Sequence, residues 1–273
     1  MAIELGYSDP VAVSEKERAE LLAFAEAAIV TAGKEALPYF RTSLEIENKS
    51  GTGFDPVTHA DRAVEAKLRE AIKANYPEHG ICGEEYGLEA GNGLTWVIDP
   101  IDGTRAFMSG MLHWGCLLGL FNGEEVVVGV MYQPYVDELF SGDCSQAWFT
   151  HAGERQQIQS SDCADLDDAV IGTTGVDWFP DTERVQFEKL REATKMLRYG
   201  GDCYIYAMVA MGAMDLASDA TLKAYDIQGL IPIIRGAGGV VTRYDGGDAS
   251  LGGTVVCAAN ENLHKQALAK LAS

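Results

Sequence analysis

Residues 96–107, WVIDPIDGTRAF, set two aspartates around a proline at the end of an apolar run. Trp96, Val97 and Ile98 suit a buried strand, and a carboxylate closing such a strand is costly unless something compensates it. Asp99 and Asp102 at one tight turn repel each other, so the turn needs a cation or must face water. Other acids stand out by their setting. Glu84 and Glu85 follow Gly83 in HGICGEEYG, Asp226 lies in LKAYDIQG before a stretch rich in leucine and isoleucine, and Asp61 ends DPVTHAD.

Oxygen-only ligands of this kind suit hard cations, Mg2+ above all. In that reading Asp99 bridges two ions, Asp102 holds the second, and the Ile101 carbonyl adds an oxygen if Pro100 stiffens the turn. Gly103 and Thr104 then offer backbone N–H groups and a hydroxyl to a phosphate at a helix start. Two ions about 4 Å apart can clamp the attacking and leaving oxygens of an in-line displacement. Several of these acids also have a plainer explanation: Asp61 as a capping-box acid, Asp226 as a helix-start acid, Glu85 as a solvated neighbour, Asp245 as a turn residue. A bare DxxDG is common in loops. A rival chemistry, the phospho-aspartate of haloacid-dehalogenase phosphatases, uses DxDGT after an apolar strand. Here D-P-I-D-G-T spaces the acids one residue wider and puts the wrong one in the nucleophile's place.

The elements that must position these residues can be read from periodicity. Ser14-Glu15-Lys16-Glu17 is a capping box, and Leu21, Ala25, Ala28, Ile29, Ala32 and Ala36 recur at helical spacing, which predicts a helix from about Glu15 to Arg41. Thr58-His59-Ala60-Asp61 is a second capping box, opening a helix with Ala60, Val64, Leu68, Ala71 and Ile72 on its apolar face and Tyr76-Pro77 at its end. HWGCLLGLF (113–121), Asn122-Gly123 and VVVGVMYQP (126–134) read as a hairpin, continued as a meander by ELFSGD and QAWFTHAGE. From Asp167 the texture alternates: strand AVIGTTG, a helix around 181–197, a helix from Asp202 to Met211, strand LASD, a helix from Tyr225 to Arg235, strands VVTRY and TVVCAAN, and a terminal helix. Helices, then a meandering sheet, then an α/β half give two closely packed units, 1–145 carrying most candidate ligands and 146–273 carrying Asp226.

The chain has 273 residues, enough for a full core. It carries 41 Asp and Glu against 21 Lys and Arg, a net charge of -20. Such a surface repels phosphate backbones, so direct nucleic-acid binding is disfavoured, and an anionic substrate needs metal ions between it and the protein. No apolar run approaches the roughly 20 residues that span a bilayer. MAIELGYSDP lacks the layout of a signal peptide, and the six cysteines are scattered with no CxxC pair. A cytoplasmic protein with reduced thiols is expected.

DPVTHAD (55–61), GEE (83–85), WVIDPIDGTRAF (96–107) and YDIQGLIPIIRGAGG (225–239), in that order, resemble the motifs of the inositol monophosphatase superfamily over nearly the whole chain. The resemblance implies an α/β (α+β) fold, the layered α-β-α-β-α sandwich of sugar phosphatases. It implies a Mg2+-dependent phosphomonoesterase with two or three ions, Mn2+ as a substitute, and a homodimer. Glu84, Asp99 and the Ile101 carbonyl match one metal site, Asp99, Asp102 and Asp226 a second, and Asp61 the catalytic acid associated with a third, weaker ion and the water. Glu84 and Thr104 match the pair that positions the attacking water, Gly103 and Thr104 the phosphate cradle, with in-line attack and no covalent intermediate. TRAF, HWGCLLGLF, YGGDCYIYAM and LKAYDI resemble the histidinol-phosphate phosphatase branch, in which Arg198, Asp202 and Asp219 match substrate contacts. Two added acids suit an amine-bearing substrate. Asp219 stands where that branch has Glu, Thr221 where it has glycine, and Ala224 where it has proline. An ordinary N-cap for Asp202, a solvated strand end for Asp219 and a surface ion pair for Arg198 are the competing readings. Alternatives are an inositol-1-phosphate or nucleotide 3′-phosphatase, or a regulatory binding protein that keeps the fold.

Overall fold

A computed structural model describes residues 5–43, 46–48 and 56–273. Helix α1 (Glu15–Gly33) starts at the Ser14–Glu17 capping box. Strands β1 (Ile46–Asn48) and β2 (Pro56–Thr58) pair antiparallel, and α2 (His59–Asn75) follows from the Thr58–Asp61 box. Asp55 of the DPVTHAD motif lies outside the described residues. Then come β3 (Gly80–Gly83), β4 (Gly87–Glu89), β5 (Thr95–Asp102), a short α3 (Thr104–Met108), β6 (Gly115–Phe121), β7 (Val126–Gln133), β8 (Glu138–Gly142), β9 (Ala147–His151) and β10 (Glu154–Gln157). These strands form one eight-stranded sheet in the order β10-β9-β8-β7-β6-β5-β3-β4. It is antiparallel except where β3 runs parallel to β5. The rest alternates: β11 (Val170–Thr173), α4 (Asp181–Glu192), β12 (Met196–Tyr199), α5 (Cys203–Ala210), β13 (Leu216–Leu222), α6 (Ala224–Gln228), α7 (Ile231–Gly236), β14 (Val240–Arg243), β15 (Gly253–Ala258) and α8 (Glu261–Leu271). Its five strands order as β12-β11-β13-β15-β14.

Side-chain alternation builds the layers. In β5, Trp96 and Ile98 join a core with α1 and α2, while Val97 joins a second core with α5, α6 and α7. The second sheet closes that central core with Ala217, Val255 and Cys257, and turns Leu216, Val256 and Ala258 toward α4 and α8. Helices, sheet, helices, sheet, helices: the expected α-β-α-β-α sandwich is the one that forms. No helix among the described residues is long and apolar enough to cross a membrane.

Three boundaries differ from the periodicity reading. The first helix ends at Gly33 and continues only as a 3-10 turn, Lys34–Ala36, not to Arg41. Pro38 lacks an N–H and would clash with the Lys34 carbonyl in a longer helix. The helix expected over 181–197 stops at Glu192, and Met196–Tyr199 becomes an edge strand parallel to β11. That pairing is tertiary and leaves no period in four residues. The helix expected from Tyr225 to Arg235 splits into α6 and α7 at Gly229-Leu230, ahead of Pro232 in the first turn of α7.

One packing device sets where α6 lies. Gly119, Gly129 and Gly142 stand in register across β6, β7 and β8. A Cβ on Gly129 would sit 2.5 Å from the Gly229 carbonyl, one on Gly119 2.9 Å from the Gln228 carbonyl carbon, and one on Gly142 2.5 Å from the Pro232 carbonyl. The row of glycines is a trough into which the α6–α7 backbone sinks, drawing α6 onto the sheet. Gly129→Ala should therefore destabilise the fold by about 1–3 kcal/mol, read as a lowered urea midpoint; an unchanged midpoint would contradict this close approach.

Candidate active site

The acids gather at the carboxyl ends of the parallel pair β3 and β5. Cys82 pairs with Val97 and Gly83 with Ile98, so Glu84 and Asp99 come next in line. The Glu84 N–H donates to the Ile98 carbonyl at 3.2 Å. Asp99, two residues beyond Val97, shares its face and points into the central layer. Asp102 is three residues on and would alternate to the other face. A bulge prevents this: Asp99 pairs with Leu117 and Asp102 with Gly115, so three steps on β5 oppose two on β6. The extra residue, beside Pro100, returns Asp102 to the side of Asp99. The register shift thus sets both acids on one side of the sheet, where they repel each other.

Helix α6 brings the third acid. Carboxylate oxygens of Asp99, Asp102 and Asp226 all lie within 4.8 Å of one another. Asp99 is only 2 % exposed. Its carboxyl is pushed well above the aspartate range, first by burial and then by the charges of Glu84, Asp102, Asp226 and Asp61. Asp102 is pushed up by burial, Asp202 and Asp226, against a hydrogen bond from the Cys203 N–H at 2.5 Å. The Ile101 N–H donates to Asp99 Oδ1 at 3.1 Å, the Thr104 hydroxyl to the Ile101 carbonyl at 3.0 Å, and the Lys223 N–H to Asp226 Oδ2 at 2.7 Å. This all-oxygen, mutually repelling donor set fits hard divalent cations, which would relieve its stored repulsion.

Asp61 is a capping-box acid that also stands near the cluster. Its Oδ2 accepts from the Thr58 N–H (2.8 Å) and hydroxyl (2.6 Å), completing the capping box, and its charge still reaches Asp99. A cavity of about 800 Å3 opens over the cluster, lined by Asp102, Gly103, Thr104, Arg105, His113, Thr174, Trp178, Arg198, Asp202, Asp219, Thr221 and Asp226 among others. Gly103 turns the chain into α3 at φ 85. Asp202 precedes α5 but makes no side-chain cap bond, and it holds φ 46, a strained setting for a residue with a Cβ. Its carboxyl is pushed up to about 6 by burial, with Arg105 pulling it down and Asp226 pushing it up. The N-cap reading of Asp202 therefore fails.

Asp219 is 4 % exposed rather than a solvated strand end. It accepts from the Thr173 hydroxyl (3.0 Å), the Thr174 N–H (2.7 Å) and hydroxyl (3.2 Å), and the Tyr206 hydroxyl (3.2 Å). Burial lifts it to about 7 against those bonds. Arg198 lines the cavity from the edge strand β12, exposed and without an ion pair among the described residues. Thr221, where the resembling branch has glycine, holds φ 61 beside the register shift of β13, which explains a glycine there. Ala224 is the first residue of α6, where proline is well suited.

Sequence reading missed four contributors. The Arg105 guanidinium lies 4.1 Å from the Trp178 ring centroid, joining α3 to the loop after β11 across the cavity. Thr173 and Thr174 hold Asp219 from a strand that carries no charge. Glu65, one turn beyond Asp61, accepts from the backbone beside Glu84. Asp61, Glu65 and Arg69 do recur at i+4, but a charged stripe beside an apolar one reads as a solvated face.

Comparison with known proteins identifies the family. The model of the inositol monophosphatase family matches residues 17–273. The bifunctional phosphatase IMPL2, chloroplastic, of Arabidopsis thaliana is 32% identical over 279 residues, covering 96% of this chain and 78% of that protein. A histidinol-phosphatase of Chlorobaculum parvum is 32% identical over 243 residues, 88% of this chain and 92% of its own. A solved inositol monophosphatase of Zymomonas mobilis superposes with a TM-score of 0.83 at 32% identity, over 96% of this chain and all of that one. The chain belongs to the inositol monophosphatase family and is a metal-dependent phosphatase of that family.

Proposed function

We propose that the chain is a Mg2+-dependent phosphomonoesterase acting on a small phosphate monoester that carries an amine, with histidinol phosphate as its substrate. The observation that carries the reading is the triad Asp99, Asp102 and Asp226, within 4.8 Å, beside a cavity that Asp202 and Asp219 also line. In this reading Glu84, Asp99 and the Ile101 carbonyl hold one ion, Asp99, Asp102 and Asp226 a second, and Asp61 a weaker third. When bound, the ions polarise the phosphate oxygens and acidify a water molecule.

The chain's own groups position the reaction. The Thr104 hydroxyl spends its proton on the Ile101 carbonyl, so its oxygen is left to accept from the attacking water and orient it. Glu84 takes the second proton bond of that water and acts as the base. Gly103 and Thr104 cradle the phosphate. Asp202, with no cap bond to satisfy, faces the leaving group and favours an ammonium, while Asp219 adds negative potential through oxygens already engaged by Thr173, Thr174 and Tyr206. Arg198 closes the rim. A second reading, an inositol phosphate, is favoured by the equal 32% identity to the Zymomonas mobilis enzyme.

Phosphate release from histidinol phosphate and inositol 1-phosphate, compared with Mg2+ present, should favour the amine-bearing ester; the reverse preference would overturn the substrate. Asp99→Asn or Asp226→Asn should cut kcat by at least roughly 100-fold with the far-UV spectrum unchanged, and retained activity in either would remove the site. Asp202→Asn should raise KM for the amine substrate more than for a neutral one; equal rises would assign it a purely structural part. The pH dependence has a definite sign. Carboxyls whose folded pKa is raised keep protons that the unfolded chain has lost, so stability falls as pH rises from the ordinary 3.8 toward about 7. Without metal the Tm should drop across that window, and saturating Mg2+ should flatten the drop; identical profiles with and without Mg2+ would contradict metal binding at the cluster.

A further inference from the structure

Glu65 is completely buried, 0 % exposed, on the helix that also carries Asp61. A buried acid is tolerated only when its oxygens are engaged. Here Oε2 accepts from the Glu85 N–H at 2.7 Å, and Oε1 accepts from the Tyr86 N–H at 3.2 Å and from Arg69 Nε at 2.8 Å. Arg69 also donates to the Gly87 carbonyl and, at 2.8 Å, to Glu89, which Lys73 pairs at 2.7 Å. The turn between β3 and β4 is thereby tied to α2 along its length. Gly83 shows how closely: a Cβ there would fall inside the Glu65 carboxylate. On the opposite side the Glu84 N–H is fixed to Ile98. The backbone of Glu84 is thus held between the sheet and one buried carboxylate, while, after burial itself, the Glu84 charge does most to raise the Asp99 carboxyl.

We propose that Glu65 is a positioning residue of the metal centre: by gripping the amides of Glu85 and Tyr86 it sets where the Glu84 carboxylate stands relative to Asp99, and so tunes the affinity for a divalent cation. The proposal rests on the reading of Glu84 as a metal ligand. A carboxylate is required because all three donors present N–H groups to both oxygens. The amide nitrogen of glutamine would turn a donor toward one of them. Helix α2 then serves the cluster twice, through Asp61 at its first turn and Glu65 at its second.

The test is Mn2+ titration calorimetry on the full-length wild type, Glu65→Gln, Glu84→Gln and Glu89→Gln, with Tm measured for each. Glu65→Gln should weaken Mn2+ binding on the order of 10- to 100-fold and lower kcat with KM little changed. Glu89→Gln loosens only the solvent side of Arg69 and should lower Tm without moving the Mn2+ Kd. Wild-type Mn2+ affinity in Glu65→Gln, with a loss of Tm alone, overturns the proposal while leaving the site intact. Unchanged affinity in Glu84→Gln overturns the reading of the site and this inference with it. Amide exchange on the wild type decides the matter if Glu65→Gln does not fold: the Glu85 and Tyr86 amides should exchange slowly, and rapid exchange at both refutes the grip.

Discussion

A carboxylate at the end of a buried strand, with neighbouring acids opposing its ionisation, is the constraint around which this chain is arranged. Asp99 is 2 % exposed and feels Glu84, Asp102, Asp226 and Asp61. Nothing in folding alone rewards such a gathering, since each added charge in a dry place raises the cost of the others. A cation bound there would turn the same repulsion into affinity. The surrounding architecture supplies acids from separate elements: β3 brings Glu84, the β5 bulge Asp102, α6 Asp226 and α2 Asp61.

That arrangement depends on features with no chemistry of their own. The glycine row across β6, β7 and β8 lets α6 and α7 lie on the sheet. A methyl group there would hold Asp226 off the other two acids. The bulge beside Pro100 is equally indirect: one extra residue on β5 returns Asp102 to the face of Asp99 and sets it opposite Gly115. Backbone strain collects at the same cavity, in Asp202 at φ 46 and Thr221 at φ 61. Both residues line the pocket.

The chain's charge is consistent with this division of labour. A net charge of -20 repels anions, so a phosphate ester reaches the cavity only where cations neutralise the acids. Asp202 and Asp219 on the cavity wall extend the same field, which on the proposed reading would favour an ester whose other end is positive. Trp178 and Arg105 close one side of the cavity with a cation–π contact between the two halves of the chain.

Local signals fixed the features whose physics is local. The Ser14 and Thr58 capping boxes, the Asn122-Gly123 hairpin and the apolar strand before Asp99 need only neighbouring residues, and each formed where its residues placed it. Pro38 was also local, and its veto on the first helix was there to be read. The tertiary structure decided what depends on partners distant in the chain. MLRY became a strand because Val170–Thr173 lay beside it. Asp202 and Asp219 ceased to be a cap and a solvated end because other elements enclosed them. Glu65 carries no signal of burial in its own helix, and only the β3–β4 turn laid against it encloses it. The residue types determined that metal chemistry was possible; only long-range register and close backbone packing could bring three carboxylates within reach of one ion.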